Sequence, residues 1–203
     1  VVRQLASQPL ALLSARGEVV AQLRDNSRTV TLGKGGELTL AENGAFGIDT
    51  SGIYFFAETQ PGTTAIGAVS NPGRALLLTG FVGHRIFAQG PRVLLSDMGN
   101  RGVRCRIIHF TPLGPRLEKA FEITRPRPAS SPFYVEDVDR PMTRVLLRDV
   151  WDPPFPSRWR LYDMAEGHLT ELGRVTGHAQ FLEGDVLEAI DSKPPAPASR
   201  SEF

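Results

Sequence analysis

Arg92-Val93-Leu94-Leu95-Ser96-Asp97 and Arg144-Val145-Leu146-Leu147-Arg148-Asp149 differ at one position only. Two hexapeptides this alike in one chain mark a repeat. Each carries a short, continuous apolar run bounded by charge, which is how a strand covered on both faces reads. Three further segments align with them: Leu10-Ala11-Leu12-Leu13-Ser14, Ile53-Tyr54-Phe55-Phe56-Ala57 and the weaker Asp185-Val186-Leu187-Glu188-Ala189-Ile190. Counted from Leu10, Ile53, Arg92, Arg144 and Asp185, the intervals are 43, 39, 52 and 41 residues. Three of these match the roughly 40–50 residues of a four-stranded propeller blade. The long interval holds an insertion, Thr124 to Pro132.

Between these runs lie shorter alternating ones, such as Gly17 to Leu23, Ser27 to Leu32, Thr64 to Val69, Val103 to Phe110 and Trp159 to Asp163. Turn signals separate them: Gly35-Gly36, Asn43-Gly44, Pro61-Gly62, Asn71-Pro72-Gly73 and Asn100-Arg101-Gly102. Gly supplies positive φ and Pro fixes φ, so each of these breaks a strand. Helical spacing is scarce. Leu117 to Phe121 fits one or two helical turns or a strand, and Pro9 interrupts the spacing in residues 1–15. A weaker strand and a tight turn precede each strongly apolar strand: Ala45 to Ile48, Arg85 to Ala88, Phe133 to Val135 and Ala179 to Leu182. In a propeller register these read as the outermost strand of one blade leading to the innermost strand of the next.

The expected fold is therefore all-β and β-propeller-like, with about four to five four-stranded blades over residues 1–191. A β-sandwich or another multi-stranded antiparallel sheet is the alternative. Residues 192–203 are rich in Pro, Ala and Ser and read as a tail or linker.

Composition narrows the function. Of 203 residues, 23 are Lys or Arg and 22 are Asp or Glu, a net charge of +1. Affinity for phosphate backbones comes from clustered excess cation, so nucleic acid is not an expected partner. The single Cys excludes an internal disulfide framework and fits either redox compartment. No apolar run reaches about 18 residues, so no membrane-spanning helix is expected. The chain begins at Val1 with no charged-then-apolar leader, which reads as a processed protein or a fragment.

Residues Trp159 to Ile190 resemble one repeat of the WD-repeat propeller family. Arg160-Leu161-Tyr162-Asp163 stands where that family ends a strand in Trp-Asp, and Gly177-His178 stands where it has Gly-His. Phe181-Leu182-Glu183-Gly184-Asp185 resembles the turn that follows, and Gly83-His84 is a second Gly-His. The chain's own Trp-Asp pair, Trp151-Asp152, falls elsewhere, directly after a strongly apolar strand. The resemblance implies a binding platform without catalysis.

The remaining chemistry is sparse. His84, His109, His168 and His178 have no short metal-ligand spacing, so no metal is expected. Cys105 alternates on a strand with no nucleophile signature around it and reads as a structural thiol. Gly33-Lys34-Gly35-Gly36 lacks the Lys-Ser/Thr of a phosphate loop and reads as a hairpin turn, and no cofactor motif is present. Asp97 and Asp149 end the matching strands, but Ser14 and Ala57 stand at the corresponding places, so no ring of acids forms.

Two loops are unusual. Residues 124–132 are Pro-rich and basic; residues 148–158 are Pro-rich and aromatic. Trp, Arg and Phe held stiffly by Pro suit a binding hot spot, because little ordering entropy is lost. Arg125, Arg127, Trp151, Phe155 and Arg158 are the expected contacts to another protein. The expectation is a non-catalytic interaction module or scaffold. The alternative is a propeller enzyme or a ligand- or glycan-binding protein with a central-channel site. Residues 1–8 can supply the outer strand of the blade whose inner strand is Asp185 to Ile190, closing a small propeller; the alternative is that the two ends, residues 1–8 and 185–191, offer sheet edges to a partner chain.

Overall fold

A computed structural model describes residues 10–13, 19–23, 28–33, 35–99, 101–126, 133–149, 157–175, 178–182 and 187–190. Apart from one 3-10 turn at Pro72–Arg74, its regular structure is all β. The first sheet is β1 (Leu10–Leu13), β2 (Val19–Leu23), β3 (Thr29–Leu32) and β4 (Gly36–Thr39). The second is β5 (Phe46–Ile48), β6 (Tyr54–Gln60), β7 (Thr63–Ala68) and β8 (Leu76–Thr79). The third is β9 (Arg85–Gln89), β10 (Arg92–Ser96), β11 (Gly102–Thr111) and β12 (Gly114–Thr124). The fourth is β13 (Phe133–Val138), β14 (Arg144–Asp149), β15 (Ser157–Asp163) and β16 (His168–Val175). A fifth sheet pairs β17 (His178–Phe181) with β18 (Leu187–Ile190). Every sheet is an antiparallel meander of consecutive strands, which is blade topology rather than the Greek key of a sandwich.

The two matching hexapeptides form β10 and β14, the second strands of their sheets. This corrects the expected register by one strand. Phe46–Ile48, Arg85–Gln89 and Phe133–Val138 pair with the apolar strand that follows them, inside one sheet. A turn as tight as Gly90-Pro91 returns the chain as a hairpin, so both arms belong to one ladder. The apolar run was informative about cover on both faces, and a second strand has that cover as fully as an innermost one.

The cover is visible in β6. Phe55 and Ala57 pack with Ala21, Val30 and Leu32 of the first sheet. Tyr54 and Phe56 pack with Val93 and Leu95 of the third. The second sheet is thus clasped between its neighbours, and Tyr54 to Ala57 read as one apolar run because alternate residues serve opposite cores. Each fully buried aromatic contributes about 1.5–3 kcal/mol of burial free energy. Each also lies over a cross-strand glycine: Phe55 opposite Gly67, Phe56 opposite Gly47. A Cβ placed on Gly67 would lie 2.9 Å from the Phe55 ring.

The chain divides into two compact units, residues 1–128 and 129–203. In the second unit, Leu146 and Trp159 of the fourth sheet pack with Ala179 of the fifth, and Phe181 leans on the cluster. The Phe181 N–H donates to Asp137 Oδ2 at 2.7 Å, pinning β17 to β13. The segment resembling a WD repeat therefore straddles two sheets, with Arg160 to Asp163 at the end of β15 and His178 opening β17.

Leu117 to Phe121 is strand, inside β12, where it pairs with β11. The apolar spacing that suggested a helical turn places Leu117 half in solvent on an outer strand. Residues 192–203 lie outside the described residues.

Candidate functional site

The ladder of the third sheet gathers three connections at one end. Ser96 pairs with both Arg85 and Cys105, and Gly102 pairs with Thr124. The β8–β9 link (80–84), the β10–β11 link (97–101) and the chain beyond β12 therefore emerge together. Arg104, near the start of β11, ties them. Its Nε donates to Asp97 Oδ2 at 2.5 Å, its backbone N–H to Asp97 Oδ1 at 2.6 Å, and its Nη1 to the Gly80 carbonyl at 2.7 Å. The Arg125 N–H donates to the Arg101 carbonyl at 2.8 Å.

Beneath this lattice, Phe81 is buried, with the Arg104 and Arg106 guanidiniums 5.6 and 5.0 Å from its ring centre. The buried Thr64 hydroxyl donates to the Phe81 carbonyl at 2.8 Å and accepts from the Gly83 N–H at 3.0 Å. The β8–β9 link is thus fixed to the sheets on both sides of it.

An open pocket of about 440 Å³ lies here, lined by Asp97, Met98, Arg101, Arg104 and Glu122, with Gly99 and Gly102 between. Its charges balance, two cations against two carboxylates. Met98 of the lining is 44% exposed, and Val82 of the β8–β9 link, whose Gly80 carbonyl Arg104 holds, is 38% exposed. A preorganised, mixed-charge pocket with adjoining methyl and thioether surface suits a polypeptide ligand, which needs little loop ordering to dock.

In the second unit, the ladder of the fourth sheet aligns Phe133, Asp149, Arg158 and Arg174 at one end. Phe133, Asp149 and Ser157 flank residues 127–132 and 150–156. Arg160 Nη2 reaches Glu171 at 3.4 Å and the buried Asp149 at 3.9 Å. Arg148 donates from Nε to Ser157 Oγ at 3.2 Å and lies over the Trp159 ring at 5.5 Å.

Of the sequence-expected contacts, Arg125 is 3% exposed and Arg158 is half-buried with Nη1 4.0 Å from Glu171. Arg127, Trp151 and Phe155 lie outside the described residues. Residues 124–132 lead from the third sheet to the fourth, and 150–156 join the second and third strands of the fourth. Sequence reasoning missed Val82, Met98, Arg101 and Arg104. Asn100-Arg101-Gly102 signalled a turn, but the pocket draws on β11, β12 and the β10–β11 connection.

Cys105 is fully buried, and burial first, then the Asp97 charge, push its thiol well above the ordinary range. His84 is half-buried, and burial followed by the Arg85 charge lowers its pKa. Among the described residues, no three His, Cys, Asp or Glu side chains converge to hold a metal ion. No helix among them is long and apolar enough to cross a membrane.

No family model matches the chain, and no curated protein matches it. Two solved structures are similar in fold. Hydrazine synthase of Kuenenia stuttgartiensis aligns at 10% identity over 79% of this chain and 48% of its own, with a TM-score of 0.46. TolB of Acinetobacter baumannii aligns at 12% identity over 89% of this chain and 48% of its own, also with a TM-score of 0.46. The chain spans about half the length of each, and likeness of this degree carries no argument; the all-β, propeller-like architecture stands on the chain's own sheets, four of four strands and one of two among the described residues.

Proposed function

We propose that this chain is a non-catalytic protein–protein interaction module that serves as a scaffold. One observation carries the reading. At the end of the third sheet, exposed Met98 lines a pocket at which Arg104 fastens Asp97 to the Gly80 carbonyl of the link that carries exposed Val82. Apolar and Arg side chains on prefastened loops are the composition of an interface hot spot. Arg125 supports this end from beneath through the Arg101 carbonyl. The Pro-stiffened loops carrying Arg127, Trp151, Phe155 and Arg158 are proposed as a further contact surface, on the composition of their sequence. The WD-repeat resemblance of Trp159 to Ile190 favours the same class of function.

The test is a quantitative pull-down with two double variants, Met98→Ala/Arg101→Ala and Trp151→Ala/Phe155→Ala. Each is expected to reduce recovery of a specific partner at least about tenfold, equivalent to roughly 1.4 kcal/mol. Thermal stability is expected to stay within about a degree or two, as for substitutions away from a core. Undiminished recovery, or collapse of the fold, overturns the assignment.

A further inference from the structure

Four charged side chains line the pocket at the end of the third sheet, and two of them are committed to each other. Asp97 is buried, and both its carboxylate oxygens accept from Arg104, one from the backbone N–H and one from Nε. Arg104 Nη1 is held by the Gly80 carbonyl. The other two are uncommitted. Arg101 and Glu122 are exposed, and among the described residues neither side chain makes a hydrogen bond or an ion pair.

Strand register explains why these two do not meet. Glu122 lies opposite Arg104 on the β11–β12 ladder, which begins with Gly102 opposite Thr124. One step further out, the Arg125 N–H donates to the Arg101 carbonyl. Arg101 and Glu122 are therefore three residues apart along the strands, about 10 Å at a rise of roughly 3.3 Å per residue. Part of the remaining lining is bare backbone. A Cβ on Gly99 would lie 2.5 Å from the Gly102 carbonyl oxygen, and a Cβ on Gly102 would lie 2.5 Å from the Ile123 oxygen. No side chain fits at either place, so main-chain packing keeps the pocket clear there.

A ligand with a single charge pairs with one of the two residues and leaves the other desolvated without a partner, which is unfavourable. A phosphoryl dianion faces Glu122 and Asp97 as well as Arg101. A ligand carrying one anion and one cation satisfies both. Because the pocket is open, a polypeptide can run through it.

We propose that the partner enters this pocket as an extended segment bearing a carboxylate and a cationic side chain two residues apart. The carboxylate sits on Arg101, the cation on Glu122, and a neighbouring apolar side chain on Met98. The segment is the partner's half of the interaction face proposed above, and the inference rests on that reading. The guanidinium fork of Arg101 takes both oxygens of a carboxylate at once. Side chains two apart on an extended chain share one face at about 7 Å, and their own length spans the rest.

Selection of a random heptapeptide library on the full chain tests this. Enriched peptides are expected to carry Asp or Glu two residues from Lys or Arg, in one fixed order. The doubly reversed variant, Arg101→Glu/Glu122→Arg, is expected to enrich the opposite order. Taken singly, Arg101→Gln is expected to remove the requirement for the carboxylate alone, and Glu122→Gln the requirement for the cation alone; these milder variants decide the matter where the double reversal does not fold. A synthetic peptide of the enriched sequence is expected to lose at least about tenfold in affinity when either charge is replaced by a neutral isostere. Enrichment of peptides with one charge or none, of the same order in both proteins, or of nothing at all overturns the proposal. If the partner pull-down still depends on Met98 and Arg101 beside such a result, the charge pair alone is refuted; a pull-down indifferent to both residues refutes the interaction face itself.

Discussion

At the scale of single residues, His84 couples the candidate site to pH. Its backbone N–H donates to the Ser96 carbonyl at 2.7 Å, and its ring sits half-buried beside Arg85. Burial first, then that neighbouring cation, disfavour the charged imidazole in the folded state, with Asp97 opposing them. A lowered folded pKa means the unfolded chain binds the proton more readily. Stability is therefore fullest above the ordinary His value of about 6.5 and falls as pH drops through it toward the lowered folded value. Urea titrations from pH 8 to 5 are expected to show a plateau and then a decline, and His84→Gln is expected to flatten the decline. An unchanged slope in that variant would place the effect elsewhere.

At the scale of elements, the first hairpins of the second and fourth sheets share one design. Asp49 closes a turn in which the Gly52 N–H bonds its carbonyl, and its carboxylate accepts from the N–H groups of Ser51, Ile53 and Tyr54 and from the Ser51 hydroxyl. Asp139 does the same with Met142, Thr143 and Arg144, and takes the Arg144 guanidinium in addition at 3.0 Å. The fourth turn residue has positive φ in both: Gly52 at 74° and Met142 at 55°. Removing a buried carboxylate strands several donors at once. Asp139→Ala is expected to cost about 2–4 kcal/mol and Asp49→Ala about 1–3 kcal/mol in chemical denaturation. Equal, negligible losses would refute the shared role. These aspartates were hidden in the sequence because a lone Asp in a turn is ordinary. The common signal was spacing, an Asp five residues ahead of the first residue of the second strand. Strand positions were legible, because alternation and Gly-Pro breaks act locally. The pairing partner of each first strand was not, because an apolar run records cover on both faces and not which neighbour supplies it. The pocket at Asp97 to Arg104 was illegible for a related reason: Arg104 draws Gly80 in from 24 residues away.

At the scale of the whole molecule, the core of the first unit has a built-in reporter. Cys105 is fully buried on β11, opposite Ser96, with its thiol held protonated by burial and by Asp97. A thiol reagent reaches it only when the third sheet opens. Labelling of native protein is expected to run at least about 100-fold slower than in denaturant and to accelerate with urea in step with unfolding. Rapid native labelling would mean that this sheet opens independently of the core it shares with Tyr54, Phe56, Val93 and Leu95.

Each sheet being a run of consecutive strands has a kinetic consequence. Strand neighbours are sequence neighbours, so pairing closes short loops and the contact order is low for an all-β chain. During synthesis, each of the first four sheets has all its strands as soon as its fourth leaves the ribosome. No strand in those sheets waits for a partner made long afterwards, which shortens the exposure of hydrophobic edges that makes slow-folding β proteins prone to aggregate.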